Sequence, residues 1–171
     1  MHSHTYPLIF RRILEDENRS LKQRLQNLVR GACEALDMEV GVLSRVHPAA
    51  NRYTVLSAHD RTGSIKQGQR FALGVTYCSM TISRRNLVHI CHMGESPFNR
   101  HPCYTTFRME SYIGVPLLLR GYVYGTLSFA SHQRRDDTHR EFEDGLVLTT
   151  RDMIEQVLST RDILYHETVG V

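Results

Sequence analysis

Glu110-Ser111-Tyr112-Ile113-Gly114-Val115-Pro116-Leu117, followed by Arg120-Gly121-Tyr122-Val123-Tyr124-Gly125-Thr126-Leu127-Ser128-Phe129, decides how this chain folds. Two apolar runs of strand length are split by an Arg-Gly turn, the signature of a β-hairpin. Neither run carries a catalytic signature. The expectation is a sheet that frames a cavity rather than one that bears a reaction centre.

On the N-terminal side, residues 15–37 read as a helix. Leu21, Leu25, Leu28, Ala32 and Leu36 recur at three- and four-residue steps, with Val29 and Cys33 beside them. Residues 40–47 and 52–60 are β-rich runs joined by a hairpin loop at Pro48-Ala49-Ala50-Asn51. Residues 61–69 are polar, contain Gly63 and Gly68, and read as a mobile loop. Residues 75–85 suggest a short helix with Thr76 as its N-cap. Residues 87–93 read as a strand, and residues 94–106, with Pro97 and Pro102, as a loop holding a turn or two of helix.

On the C-terminal side, residues 137–164 form a long helix. Phe142, Leu146, Thr149, Met153, Val157 and Leu164 line one stripe, widened by Val147, Ile154 and Leu158. The element order predicts an α+β fold, a central antiparallel sheet with the terminal helices on one face and short helices and loops over a pocket on the other. Residues 1–16 are read as an N-terminal extension, 17–165 as the domain and 166–171 as a tail.

The 171 residues fit one domain. A net charge of +3 with acids and bases mixed gives no basic block for nucleic acid; Arg134-Arg135 is followed at once by Asp136-Asp137. No apolar run is long enough to span a bilayer, and the first 14 residues, with His, Arg and Pro among them, do not form a signal peptide. The chain is therefore expected in the cytoplasm, with its four cysteines as free thiols.

Several stretches resemble the GAF domain, the small-molecule sensor module related to PAS domains, from about residue 21 to residue 164. Gly74-Val75-Thr76-Tyr77-Cys78-Ser79 is similar to the stretch opening the helix over that family's pocket. His101-Pro102, then Glu110-Ser111-Tyr112-Ile113-Gly114-Val115-Pro116-Leu117 and Tyr124-Gly125-Thr126-Leu127-Ser128-Phe129, resemble its later strands. The residues make physical sense there. Gly114 and Gly125 allow close approach to the sheet, and Pro116 belongs at an edge or irregularity because it cannot donate to the ladder.

The resemblance implies a ligand pocket without naming its occupant. Tyr77, Cys78, Ile82, Tyr104, Phe107 and Tyr112 supply an apolar, aromatic lining of the kind small-molecule sites use, and His89 and Cys91 join them as candidate ligand-binding residues. His89, Cys91, His92, His101 and Cys103 are ligand types for zinc or iron, but their spacing matches no finger or ribbon pattern. Cys91-His92 resembles the bilin-attachment dipeptide of phytochrome-type GAF domains, without the surrounding motif. Cys78, Cys91 and Cys103 could serve a free methionine-R-sulfoxide reductase, yet that family's His-Ile-Ala-Cys-Asp stretch has no counterpart. Asn99-Arg100 and Phe107 echo the cyclic-nucleotide signature without its Asp-Glu pair, although Arg84, Arg85 and Arg108 could meet an anion. No cofactor is specified.

The expectation is a sensory domain that binds a small molecule, closes residues 93–107 over the sheet and relays its state through terminal helices paired in a homodimer. No kinase, cyclase or helix-turn-helix segment follows Leu164, so an output domain or partner protein is expected to receive the signal. The alternatives are a thiol enzyme and a dimerisation module without ligand.

Overall fold

The computed structural model describes the backbone of residues 5–169 and the side chains of residues 5–160. Leu164 as a stripe residue, residues 1–4 of the N-terminal extension and residues 170–171 of the tail lie outside these described residues. Eleven elements follow in order: α1 (Thr5–Glu15), α2 (Leu21–Ala35), β1 (Val40–His47), β2 (Arg52–Asp60), β3 (Arg70–Ala72), α3 (Cys78–Arg84), β4 (Val88–Ile90), α4 (Pro102–Phe107), β5 (Ser111–Leu119), β6 (Tyr122–Ser131) and α5 (Arg140–Val169).

The strands make a single antiparallel sheet in the order β3-β2-β1-β6-β5-β4. The β5–β6 hairpin turns at Arg120 and Gly121, both with positive φ (51° and 80°), the backbone that matches the right-handed twist of paired strands. At Gly125, opposite Arg45, an added Cβ would lie 1.7 Å from the Ser44 carbonyl oxygen, so only glycine admits this pairing. β4 begins opposite Gly114, which leaves Pro116 beyond its reach, as a residue without an N–H requires. Two residues on, the Leu118 N–H donates to the Glu155 carboxylate of α5 at 2.6 Å.

Both faces of the sheet are covered. Against one lie α1, α2 and α5, with Leu28, Val29, Leu36, Leu43, Ile113, Val115, Leu117, Leu127 and Ile154 in the core between. Against the other lie α3, α4 and their connections, over Val40, Val42, Tyr53, Val55 and Tyr112. β5 serves both: Tyr112 and Gly114 point one way, Ile113, Val115 and Leu117 the other.

Four expectations need correction. The helix expected from residue 15 starts at Leu21, because Ser20 forms a capping box with Gln23 (Gln23 N–H to Ser20 Oγ, 3.2 Å; Ser20 N–H to Gln23 Oε1, 2.9 Å). Residues 5–15 are themselves a helix, whose Phe10 and Leu14 enter the core. Thr76 is not an N-cap: its hydroxyl donates to the Leu73 carbonyl and closes the preceding 3₁₀ turn. Residues 61–69 are tethered rather than free, with Asp60 accepting from the N–H groups of Thr62 and Ile65, and Val55 bonded to Gly68 and Gln69.

Candidate functional site

The cavity lies between the sheet and the α3–α4 layer. Strand alternation on β1, β2 and β6 sends Val40, Val42, Tyr53, Ser128 and Ala130 into it, and β5 contributes Tyr112. α3 brings Tyr77 and Cys78 over the sheet, and α4 with its flanks brings Cys103, Phe107 and Met109. Its volume is about 70 Å³, less than half of the ~150 Å³ that accepts a benzene ring. An organic ligand held there therefore requires the wall to spread.

One patch of the wall is polar. Cys78 Sγ lies 3.8 Å from the Tyr53 hydroxyl, 3.6 Å from Ser128 Oγ and 3.7 Å from the Tyr112 hydroxyl. Tyr112 also shares a 2.7 Å hydrogen bond with Thr81. Its ring folds back over Gly114, where a Cβ would come within 2.1 Å of the hydroxyl. Gly114 is thus the space into which this phenol fits. Tyr77 meets Tyr112 edge-on at 5.3 Å and donates its hydroxyl proton to the Met109 carbonyl at 3.0 Å.

The electrostatics of this wall follow from burial. It lifts the Tyr53 and Tyr112 phenols well above their ordinary value. Burial likewise pushes the Cys103 thiol up to about 12. Beside the cavity, burial lowers His101. Its Nδ1 accepts from the Cys103 N–H at 3.2 Å, which leaves Nε2 to carry the proton toward Ser79 Oγ at 3.1 Å.

A second cluster occupies the opposite face. β4 turns His89 toward α5, where the side chain is 1% exposed and its Nδ1–H donates to Asp144 Oδ1 at 2.6 Å. The other ring nitrogen is 3.4 Å from Glu143 Oε2, a carboxylate 3% exposed that also pairs with the Arg135 guanidinium. Cys91 follows β4 and lies 3.5 Å from Asp137 Oδ1 and 3.6 Å from the Arg140 guanidinium.

The structure brings four of the expected ligand residues, Tyr77, Cys78, Phe107 and Tyr112, to the cavity wall. Ile82 and Tyr104 pack at the edge of the same apolar layer without lining the cavity, and the Tyr104 hydroxyl donates to Glu110 at 2.8 Å. His89 and Cys91 lie across the sheet, among the groups of α5 and its approach. The candidate metal set is divided the same way, with Cys103 in the cavity wall and His101 against Tyr77. Among the described residues no group of three or more His, Cys, Asp or Glu side chains has an arrangement that could hold a metal ion. Tyr53, Val42, Ser128 and Ala130 went unrecognised in the sequence. Their signal was two-residue alternation along strands whose pocket-facing side was not yet known.

Comparison with known proteins bears on this arrangement directly. The model of the GAF domain family matches residues 20–158. The chain belongs to the GAF family. Among solved structures, this GAF domain is similar to that of an Acinetobacter phosphoenolpyruvate-protein phosphotransferase, with 19% identity, a TM-score of 0.68 and 96% of each chain covered. Free methionine-R-sulfoxide reductase from Neisseria meningitidis, solved with its substrate, shares 16% identity at a TM-score of 0.66, over 92% of this chain and 89% of that one. The phycocyanobilin-bound GAF domain of a cyanobacterial phytochrome shares 13% at 0.66, over 92% and 96%. At such identities the likeness carries the fold alone. No curated protein sequence matches this GAF domain. Among the described residues no helix is long and apolar enough to cross a membrane.

Proposed function

We propose that this GAF domain is a cytoplasmic sensory module that binds a small molecule in the cavity and relays its occupancy through α1, α2 and α5. The observation that carries the reading is the double role of β5. Tyr112 bounds the cavity, with Gly114 beneath its hydroxyl, while Ile113, Val115 and Leu117 pack beneath the helices. A ligand that spreads the cavity wall displaces a strand whose reverse side is helix packing, and close-packed layers transmit such shifts rather than absorb them. Leu118, bonded to Glu155, ties the end of that strand to α5.

The relay acts on an assembly of two copies paired through the terminal helices, and then on an output domain or partner protein. Leu8 and Ile9 on α1, 63% and 44% exposed, supply apolar surface for that pairing. Native mass spectrometry of protein purified from cells, set against its denatured mass, tests the reading. A dimer carrying a non-covalent small molecule is expected. A ligand-free protein, together with amide exchange in α5 that no small molecule alters, would remove it.

The thiol-enzyme alternative has one observation in its favour: Cys78 and Cys103 both line the cavity. Against it stands the Cys103 thiol, pushed up to about 12 and so protonated at neutral pH. Incubation with free methionine sulfoxide and a thiol reductant is expected to give no turnover.

A further inference from the structure

We propose that the cavity is selective for neutral, compact, aromatic molecules carrying one hydrogen-bonding group, anchored on Tyr53, Cys78, Tyr112 and Ser128. This inference rests on the sensory reading and specifies the chemistry of its ligand.

The wall of the cavity decides the charge. Among the described residues, no lysine, arginine, histidine, aspartate or glutamate lines it. A carboxylate, phosphate or ammonium enclosed there would lose its hydration and find no opposite charge, a penalty that neutral hydrogen bonds do not offset. Amino-acid zwitterions, nucleotides and organic acids are disfavoured together. The arginines that could have met an anion are engaged outside: Arg84 stacks over Phe98, Arg108 over Tyr104, and Arg85 donates to the Gly121 carbonyl at 3.2 Å.

The shape and the polar patch decide the rest. Tyr53, Phe71, Tyr77, Phe107 and Tyr112 present aromatic surface on several sides, which suits a flat ring. Polar atoms converge at one place, around Cys78. There two phenols and a serine hydroxyl lie 3.6–3.8 Å from one sulfur, a weak partner, while Tyr112 and Tyr53 also bond to the Thr81 and Ser44 hydroxyls. A ligand hydroxyl or ring N–H placed among them replaces long sulfur contacts with ordinary hydrogen bonds. The small volume, about 70 Å³, adds the size limit, since each added atom demands further spreading of the wall.

The test uses matched probes on the intact chain: phenol against toluene, phenol against benzoate, and indole against indole-3-acetate. Binding is read by saturation-transfer NMR and by the thermal midpoint. Phenol and indole are expected to bind and raise the midpoint, with the two carboxylates at least tenfold weaker. Ser128→Ala should weaken phenol several-fold and leave toluene unchanged, and Ala130→Met, which fills the cavity, should abolish both. Carboxylates that bind as well as their neutral partners, or phenol binding that survives Ala130→Met, overturn the proposal. If no probe binds but native mass spectrometry finds a co-purified molecule, the ligand class is wrong and the sensory reading stands. If no probe binds and nothing co-purifies, both fall.

Discussion

His89 of β4 holds Asp144 of α5 at 2.6 Å, with the imidazole enclosed between the sheet edge and the helix and Glu143 of the same helical turn 3.4 Å from its other nitrogen. The pair joins the strand that borders β5 to the longest helix of the molecule. It lies on the side of the sheet away from the cavity and attaches β4 to α5.

Removing the imidazole leaves the Glu143 carboxylate buried with Arg135 as its remaining partner and opens a gap at the helix. His89→Ala should lose about 2–3 kcal/mol, below the usual cost of breaking a fully buried pair because Asp144 is partly solvated. Urea denaturation measures it. A loss under about 0.5 kcal/mol would show that the attachment contributes little.

Stability should fall on acidification, and the sign follows from four carboxylates. Burial tends to raise Glu110, but hydrogen bonds from the Tyr104 hydroxyl and the Gly94 N–H, with Arg134 nearby, hold it below its ordinary value. For Glu39 burial is likewise outweighed, by His132. The Thr138 hydroxyl and N–H lower Asp136; Arg140 and then the Cys91 thiol lower Asp137. Groups lowered by folding contribute stability that is present above the ordinary carboxylate range and lost as pH falls through their folded values. Urea midpoints should begin to slip as pH falls through the ordinary histidine range, where the unfolded chain takes up a proton that buried His101 resists, and should decline further through the carboxylate range. Glu110→Gln should flatten the decline.

Gly114 and Tyr112 should behave as one unit. Gly114→Ala forces the phenol out of its place and should cost about 2–3 kcal/mol. Tyr112→Leu should cost about 2–4 kcal/mol. Since the worst of the clash leaves with the ring and only Thr81 Oγ1 remains close, the double variant should be less destabilised than the sum by at least ~1 kcal/mol. Additive costs in a double-mutant cycle would contradict the packing described.

The cysteines should differ in reactivity. Cys33 and Cys103 are buried, and burial pushes both thiols up to about 12. Cys91 is the accessible one, though burial raises it as well. Iodoacetamide at neutral pH should modify Cys91 first and slowly, with Cys33 and Cys103 protected until the protein unfolds. Peptide mass mapping over time distinguishes this order from fast labelling of Cys103.

The limits of β1 and β2 and the turn of the β5–β6 hairpin were readable because turn chemistry marks their ends: Pro48 and Asn51 between the first pair, Arg120-Gly121 between the second. α1 was missed although Tyr6, Phe10, Ile13 and Leu14 follow a helical period; Pro7 and the exposed Leu8 and Ile9 obscured it. β3, three residues long, has no pattern of its own and exists because β2 offers it an edge. In α5 the deepest line is Val147 and Ile154 with the polar Glu143 and Thr150, a stripe that an apolar count places off-centre. The candidate site was half legible for a related reason. A sheet covered on both faces buries both sets of alternate residues, so the sequence of β4 and β5 does not say which set meets the cavity. His89 and Tyr112 looked equivalent until the layers were in place.

Beyond β4, the rim of β5 is sealed: Pro116 has no amide hydrogen to offer and the one on Leu118 is occupied by Glu155. A stray extended peptide finds little to grip there, which guards the sheet against runaway edge-to-edge stacking into fibrils. Glu155→Ala would weaken that safeguard together with the anchorage of α5.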